Sequence, residues 1–124
     1  MKILIVDDSI FSQKISAKFI QQYLNNAEIY FSNDGVEGFE TYEEKKPDYV
    51  FIDLLMPKLN GKDLIKKILD YDTEAKIIVL TADVQKNVKE EIEKYNVLSF
   101  INKPFNKEKA KAICEKIRYD YENK

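Results

Sequence analysis

The sequence predicts a doubly wound α/β fold, in which five parallel strands form one sheet with helices on both faces. Short apolar runs rich in β-branched residues alternate with longer stretches of helical period. The central runs are almost continuously apolar, which is typical of parallel strands covered on both faces. Right-handed crossovers leave few arrangements, and we expect the strand order 2-1-3-4-5 in a single domain over residues 1–124.

The first third of the chain supplies two strands and a helix. The run KILIV predicts a strand over 2–6, and EIYF predicts a second strand over 28–31. Between them we expect a helix over 9–25, because large apolar residues recur there at every fourth position. Its buried face is expected to carry Phe11, Ile15, Phe19 and Tyr23.

The middle of the chain adds a strand between two helices. The turn signal Asn33-Asp34-Gly35 leads into a helix expected over 35–46, and YVFID predicts a strand over 49–53. A further turn signal, Asn60-Gly61, precedes a helix expected over 61–71.

The last third completes the alternation. KIIVLT predicts a strand over 76–81, followed by a helix over 84–95. LSFI predicts a strand over 98–101, and a final helix is expected over 106–121. Its buried face is expected to carry Ile113 and Ile117.

Composition excludes several classes of function. The formal net charge of −2 does not indicate binding to nucleic acid or to an anionic membrane. No apolar run is long enough to span a bilayer, and no signal peptide fits the start of the chain. We therefore expect a cytoplasmic monomer without membrane insertion.

The inventory of reactive side chains is short. The chain has no histidine, which excludes a Ser-His-Asp triad, a Cys-His pair and an HExxH zinc site. Cys114 is the only cysteine, which excludes an internal disulfide and a CxxC site, and we expect its thiol to be buried and inert. Any chemistry must use carboxylates, lysines, hydroxyls and backbone groups.

Polar residues follow four of the five predicted strands. Asp7 and Asp8 come after the first strand, Asp53 and Thr81 end the third and fourth, and Lys103 follows the fifth. The predicted strand order brings these carboxyl ends together at the crevice where ligands bind in such sheets. Adjacent strands lie ~4.8 Å apart. Lys103 therefore starts two strands, ~10 Å, from Asp53, a gap that its long side chain partly closes.

This set of side chains indicates phosphoryl chemistry. Three clustered carboxylates repel one another unless their pKa values rise or a cation neutralises them. A hard divalent ion such as Mg²⁺ fits an oxygen-only site. An amine and a hydroxyl facing that ion would cradle a phosphoryl group, with Asp53 as the nucleophile that accepts it.

Each residue also has an ordinary interpretation. Asp7-Asp8-Ser9 could cap the first helix, Thr81 could simply end a strand, and Lys103 could be solvated. Asp53 could begin a turn with Pro57. All these groups nevertheless fall at neighbouring carboxyl ends of the sheet, and that coincidence favours a functional site.

The same ordered pattern resembles the response-regulator receiver domains of two-component signalling, of the CheY-like single-domain kind. Met56-Pro57, Gly61 and Lys103-Pro104 also fit that pattern, and the resemblance covers essentially all 124 residues. It implies a flavodoxin-like (βα)5 three-layer sandwich. It also implies a cis peptide bond before the last of these prolines.

The resemblance implies roles for the acidic residues. Asp53 would be phosphorylated by the phosphohistidine of a partner kinase or a phosphotransfer protein. Asp8 would bind Mg²⁺ directly, and Asp7 mainly through water. Asp53 and the backbone carbonyl of Leu55 would complete the protein ligands, and Mn²⁺ could substitute for Mg²⁺.

The resemblance also implies a switch. Lys103 would pair with the phosphoryl oxygens, while the Thr81 hydroxyl and the Ala82 N–H would contact the phosphoryl group. Phe100 occupies the family's aromatic switch position and would turn inward as Thr81 moves. The readout surface would be the face formed by residues 84–121.

The partners implied are a phosphodonor, a downstream protein on the 84–121 face and a phosphatase. Because an effector domain has no room in this length, output would pass to a flagellar motor switch, a histidine kinase or a phosphorelay protein. Leu55 is apolar at a position that flanks the path of an attacking water in related receivers, and we hypothesise that it hinders water positioning and lengthens the lifetime of the phosphorylated form. The resemblance thus implies a phosphoacceptor switch with only self-directed phosphotransfer and autodephosphorylation, not an enzyme.

Two other functions compete. A phosphatase of the haloacid-dehalogenase type also uses an aspartate nucleophile and Mg²⁺, but its motif needs a second Asp where this chain has Leu55. A flavodoxin-like electron carrier needs a phosphate-binding loop after the first strand. The acidic pair Asp7-Asp8 would repel a flavin phosphate there.

Overall fold

The protein has the predicted five-stranded parallel sheet, in a computed structural model that describes residues 1–83 and 85–124. The strands are β1 (Lys2–Val6), β2 (Glu28–Ser32), β3 (Tyr49–Ile52), β4 (Ile77–Thr81) and β5 (Ser99–Asn102). The helices are α1 (Ile10–Tyr23), α2 (Gly35–Lys45), α3 (Gly61–Tyr71), α4 (Lys86–Glu93) and α5 (Lys107–Glu122). The strand order is β2-β1-β3-β4-β5, so the predicted flavodoxin-like fold class is confirmed.

Side-chain caps set the starts of four helices. Each cap side chain accepts a hydrogen bond from the backbone N–H three residues further along, which satisfies a donor that the helix leaves free. The caps are Ser9, Asp34, Asn60 and Asn106. The predicted element boundaries are close to those of the structure. Val84, the first residue of the helix predicted over 84–95 and of the predicted readout face, lies outside the described residues.

The sheet separates two apolar cores. Alternate residues of a strand point to opposite faces, so Ile3 and Ile5 join the core beneath α1 and α5, while Leu4 and Val6 join the core beneath α2, α3 and α4. Every residue of β3 and β4 is buried, as predicted for central strands. The polar residues that follow these strands are therefore held on a rigid base.

The face that α1 buries differs from the predicted one. Phe11 is 74% exposed, and the other three residues of the predicted stripe are only half-buried. The buried residues of α1 are Gln13, Ser16, Ala17 and Ile20. Two of these four, Ser16 and Ala17, have small side chains. The half-buried Phe19 ring meets Phe105 edge-on, with the ring centroids 5.9 Å apart.

The buried face predicted for α5 is confirmed. Ile113 and Ile117 are buried in the same core as Cys114. Burial raises the pKa of the Cys114 thiol to about 11, so the thiol stays protonated and unreactive near neutral pH. Among the helices of residues 1–83 and 85–124, none has the length and apolar character needed to cross a membrane.

Candidate functional site

Asp53 lies directly after β3 and beside the end of β1. The register pairs Val6 with Ile52, and the Asp53 N–H donates to the Val6 carbonyl at 3.0 Å. Gly61 packs against this backbone so closely that a Cβ there would lie 2.4 Å from the Asp53 carbonyl oxygen. The Asp53 side chain is thereby fixed in a buried position at the carboxyl edge of the sheet.

The acidic pair after β1 contributes one buried and one exposed carboxylate. Asp7 is buried, and its Oδ1 accepts the Ser9 N–H at 3.0 Å. Asp8 is exposed to solvent. One carboxylate oxygen from each of Asp7, Asp8 and Asp53 lies within 4.8 Å of the others. The predicted convergence of the three acids is confirmed.

Lys103 reaches the centre of this acidic cluster. Its Nζ lies 2.8 Å from Asp7 Oδ2 and 2.9 Å from Asp53 Oδ2, so the side chain closes the expected gap completely. The Lys103 N–H donates to the Thr81 carbonyl at 2.8 Å, which anchors the residue beside the end of β4. The peptide bond between Lys103 and Pro104 is cis, as the resemblance implies. The interpretation of Lys103 as a solvated surface lysine is wrong.

The protonation state of this lysine follows from its surroundings. Burial disfavours the charged amine, but the hydrogen bonds to Asp7 and Asp53 outweigh that cost and raise the pKa of Lys103 above its ordinary value. The ammonium is therefore charged at neutral pH. It offsets only one of the three carboxylate charges in the cluster.

Two donors hold the other oxygen of the Asp53 carboxylate. The Thr81 hydroxyl donates to Asp53 Oδ1 at 2.9 Å, and the Leu55 N–H donates to the same oxygen at 3.0 Å. Thr81 is fully buried, and its hydroxyl oxygen accepts the Asp83 N–H at 3.2 Å. Thr81 is therefore positioned by its neighbours and aimed at Asp53.

The remaining predicted residues lie around this centre. Leu55 is 54% exposed on the loop after β3, and Ala82 is exposed on the loop after β4. Phe100 is half-buried against the core beneath α2, α3 and α4, with the Lys89 ammonium 5.8 Å from its ring centroid. Phe100 thus lies on β5, two strands from the β3 strand that Asp53 follows.

The donor chemistry of the cluster fits a magnesium ion. All its ligand atoms are carboxylate oxygens, which suit a hard cation, and the nearby ammonium leaves the cluster with excess negative charge. The exposed side of Asp8 gives access to water, and Mg²⁺ usually keeps several waters when protein carboxylates bind it.

The capping interpretation of the acidic segment is correct for one residue. The Ser9 hydroxyl accepts the Ser12 N–H at 3.1 Å and caps α1. The neighbouring carboxylates, Asp7 and Asp8, belong to the acidic cluster instead. The segment therefore starts a helix and supplies the site.

Two residues of α1 that were not predicted from the sequence also contact the site. The Ser12 hydroxyl oxygen lies 3.0 Å from the Lys103 Nζ. The buried Gln13 side chain donates to the carbonyl of Asp7 at 2.6 Å and to the Asn33 side chain at 2.8 Å. The available signal was a run of three polar residues, Ser12-Gln13-Lys14, between the apolar pair Ile10-Phe11 and Ile15.

Comparison with known proteins gives a consistent result. The family described as response regulator receiver domain matches residues 3–115 of this chain. Chemotaxis protein CheY of Thermotoga maritima is 36% identical over 118 residues, which cover 94% of this chain and 96% of that protein. Receiver domains generally bind Mg²⁺, in agreement with the acidic cluster.

Solved structures agree on the fold. The response regulatory domain of protein mrkE from Klebsiella pneumoniae is 25% identical, with a TM-score of 0.88 over 100% of both chains. The CheX-CheY-BeF3-Mg²⁺ complex from Borrelia burgdorferi matches with a TM-score of 0.86 at 24% identity, over 98% of this chain and 89% of that one. The chain belongs to the response regulator receiver domain family, and it is a CheY-like member.

Proposed function

We propose that Asp53 is the phosphoacceptor of a signalling switch and that a histidine kinase or a phosphotransfer protein supplies the phosphoryl group. The observation that carries this assignment is the setting of its carboxylate. One oxygen accepts from the Lys103 ammonium, and the other accepts from the Thr81 hydroxyl and the Leu55 N–H. A phosphoryl group transferred to the Asp53 carboxylate would therefore form beside donors that bind phosphoryl oxygens.

In the proposed reaction, a carboxylate oxygen of Asp53 attacks the phosphorus of a phosphohistidine. The O–P bond forms as the P–N bond breaks, and the freed imidazole takes a proton from water. Lys103 would balance the charge on the transferred group, while the Thr81 hydroxyl and the Ala82 N–H would bind its oxygens. Bound Mg²⁺ would neutralise further charge, held by Asp7, Asp8, Asp53 and the Leu55 carbonyl.

The proposed output is a change in the 84–121 face. A phosphoryl group adds charge and strong acceptor oxygens to the site. These would hold Thr81 and Lys103 in one arrangement and favour the inward position of Phe100. The half-buried ring of Phe100 supports this role, because it packs against the core on one side and is partly open to solvent. The equilibrium shifts only as far as the phosphoryl group binds one arrangement better than the other.

The proposed partners are the phosphodonor, a protein target on the 84–121 face and a phosphatase. In the Borrelia burgdorferi structure, CheY forms a complex with CheX, which supports a protein partner for a fold of this kind. We place the chain in chemotaxis-type signalling or a phosphorelay, as a cytoplasmic monomer without nucleic acid and without turnover of an external substrate. Mn²⁺ is the proposed substitute for Mg²⁺.

The first experiment is intact mass after incubation with acetyl phosphate, with and without Mg²⁺. We expect a Mg²⁺-dependent gain of one phosphoryl group that Asp53→Asn abolishes. Asp70→Asn, which removes an exposed acid of α3, is the matched control and should gain the group normally. A phosphorylated histidine kinase serves as a second donor. If neither donor modifies the wild-type protein, the proposal is wrong.

A phosphate-release assay with small phosphate esters tests the phosphatase alternative. A haloacid-dehalogenase-type enzyme would release inorganic phosphate from small phosphate esters continuously, whereas the proposed switch retains one phosphoryl group per chain. The comparisons give no support to that alternative.

A further inference from the structure

The ammonium of Lys103 uses all three of its N–H donors in this structure. Two go to the carboxylates of Asp7 and Asp53, and the third goes to the Ser12 hydroxyl oxygen at 3.0 Å. A lysine ammonium has three donors and no acceptor. The three contacts therefore fix the position of the nitrogen in space.

Ser12 is itself held in place. Its N–H donates to the Ser9 hydroxyl in the cap of α1, so its backbone cannot drift from the site without breaking that cap. Its side chain is half-buried at the end of a groove of about 410 Å³ between α1 and the loop after β5. Much of that groove is apolar, with Phe11, Ile15 and Phe105 among its lining residues.

Ser12 differs from the other two acceptors in charge. Asp7 and Asp53 also belong to the acidic cluster, so a bound metal ion would compete with Lys103 for their oxygens. Phosphorylation would also convert the Asp53 carboxylate into an acyl phosphate, whose oxygens Lys103 must then follow. The hydroxyl of Ser12 is neutral and has neither role, so its contact can persist through both events.

We propose that Ser12 is a positioning residue, which holds the Lys103 ammonium at the phosphoacceptor while its other two contacts exchange. This inference rests on the proposed function of Asp53. The contact to Ser12 leaves the charge of the ammonium intact, so Lys103 remains available to the transferred group. Ser12 acts only through Lys103 and contacts no reacting atom.

The test uses three variants and acetyl phosphate as the donor at saturating Mg²⁺. Ser12→Ala removes the hydroxyl, and Ser12→Thr keeps it. Ser16→Ala is the control, because Ser16 lies one turn further along α1 and lines the same groove. The maximal phosphorylation rate and the half-saturating acetyl phosphate concentration are measured by intact mass, and Mg²⁺ affinity by calorimetry.

We expect Ser12→Ala to lower the maximal rate by about three- to tenfold, a range typical of one lost hydrogen bond to a charged group that water partly replaces. The half-saturating concentration and the Mg²⁺ affinity should stay within about twofold of the wild-type values. Ser12→Thr and Ser16→Ala should keep the wild-type rate. A purely structural role predicts instead unchanged kinetics, because alanine is a better helix former than serine.

A second measurement needs no phosphodonor. In ¹H–¹⁵N spectra of the lysine ammonium groups, the Lys103 signal is identified by its loss in Lys103→Met. We expect its hydrogen exchange to be slow in the wild-type protein and several-fold faster in Ser12→Ala. Equal exchange in these two proteins overturns the inference, as does a Ser12→Ala rate equal to that of the wild type. A wild-type protein that takes up no phosphate, but shows the exchange difference, overturns the proposed function alone.

Discussion

Strand β3 has a polar network at each end, and the two networks differ in their balance of charge. At its start, the buried Tyr49 hydroxyl donates to Asp120 of α5, and Lys76 lies 3.4 Å from the same carboxylate. In this network one ammonium, that of Lys76, pairs with one carboxylate, that of Asp120. After its end, Asp53 shares Lys103 with two further acids.

In the proposed function, this difference separates a structural network from a reactive one. In the balanced network of Tyr49, Asp120 and Lys76, the carboxylate is hydrogen-bonded and its charge is paired. This network links β3 to α5 and has no excess charge for a ligand to neutralise. The acidic cluster keeps excess negative charge beside a hydroxyl and an ammonium, an arrangement that suits a cation and, in the proposed function, a phosphoryl group. Substitutions at the two ends should therefore separate stability from phosphorylation.

The largest effect is expected from Lys103→Met. Loss of the ammonium should slow phosphorylation by acetyl phosphate on the order of 100-fold, because one preorganised charge at the transferred group is removed. Mg²⁺ should bind more tightly, since the amine no longer competes for the carboxylates of Asp7 and Asp53. Intact mass and calorimetry measure the two effects. Lys107→Met, at the exposed start of α5, is the control and should change neither.

The next effect is expected from Tyr49→Phe. The lost hydrogen bond to Asp120 should lower the free energy of unfolding by about 1 kcal/mol, since water can partly replace the donor. Urea unfolding measures this change. The rate of phosphorylation should stay at the wild-type value, and a tenfold loss of that rate would show that the two ends of β3 are coupled.

Leu55→Asn should have a smaller effect, confined to the reactive end. A polar side chain at this exposed position would help to place an attacking water, so we expect dephosphorylation about three- to tenfold faster. The decay of the phosphorylated mass after removal of donor measures the rate. Leu59→Asn, further along the same loop, is the comparison. If the phosphorylated form of Leu55→Asn has the wild-type lifetime, Leu55 does not control that lifetime.

The smallest effect is the acid dependence of the balanced network. The pKa of Asp120 lies below its ordinary value of 3.8, mainly because its carboxylate accepts the hydrogen bond from Tyr49. Desolvation raises this pKa, and the nearby Lys76 lowers it. Stability from this carboxylate is therefore fully present above pH ~4 and is lost as pH falls through the lowered folded-state pKa. The stability difference between wild type and Tyr49→Phe should shrink below pH ~4. A difference that stays constant down to pH ~3 would contradict this assignment.

The sequence was sufficient for the fold and for the acidic centre of the site. Alternation of strand-like and helical runs predicted all ten elements, and the order of strands then placed Asp7, Asp53 and Thr81 at one edge. Such inferences succeed because side-chain period and crossover handedness are local rules that hold along the whole chain. They failed for α1, where the large apolar row from Phe11 to Tyr23 suggested the wrong buried face.

The sequence by itself determined which chemistry is possible here, because it supplies carboxylates, a hydroxyl and an amine and contains no histidine. Only the tertiary structure decided which groups meet. It places the Lys103 ammonium between two carboxylates and against Ser12, and it joins Tyr49 to Asp120 across the chain. Contacts of this kind depend on side-chain length, rotamer and the packing of helices on the sheet. None of these is encoded in the spacing of residues along one strand or one helix.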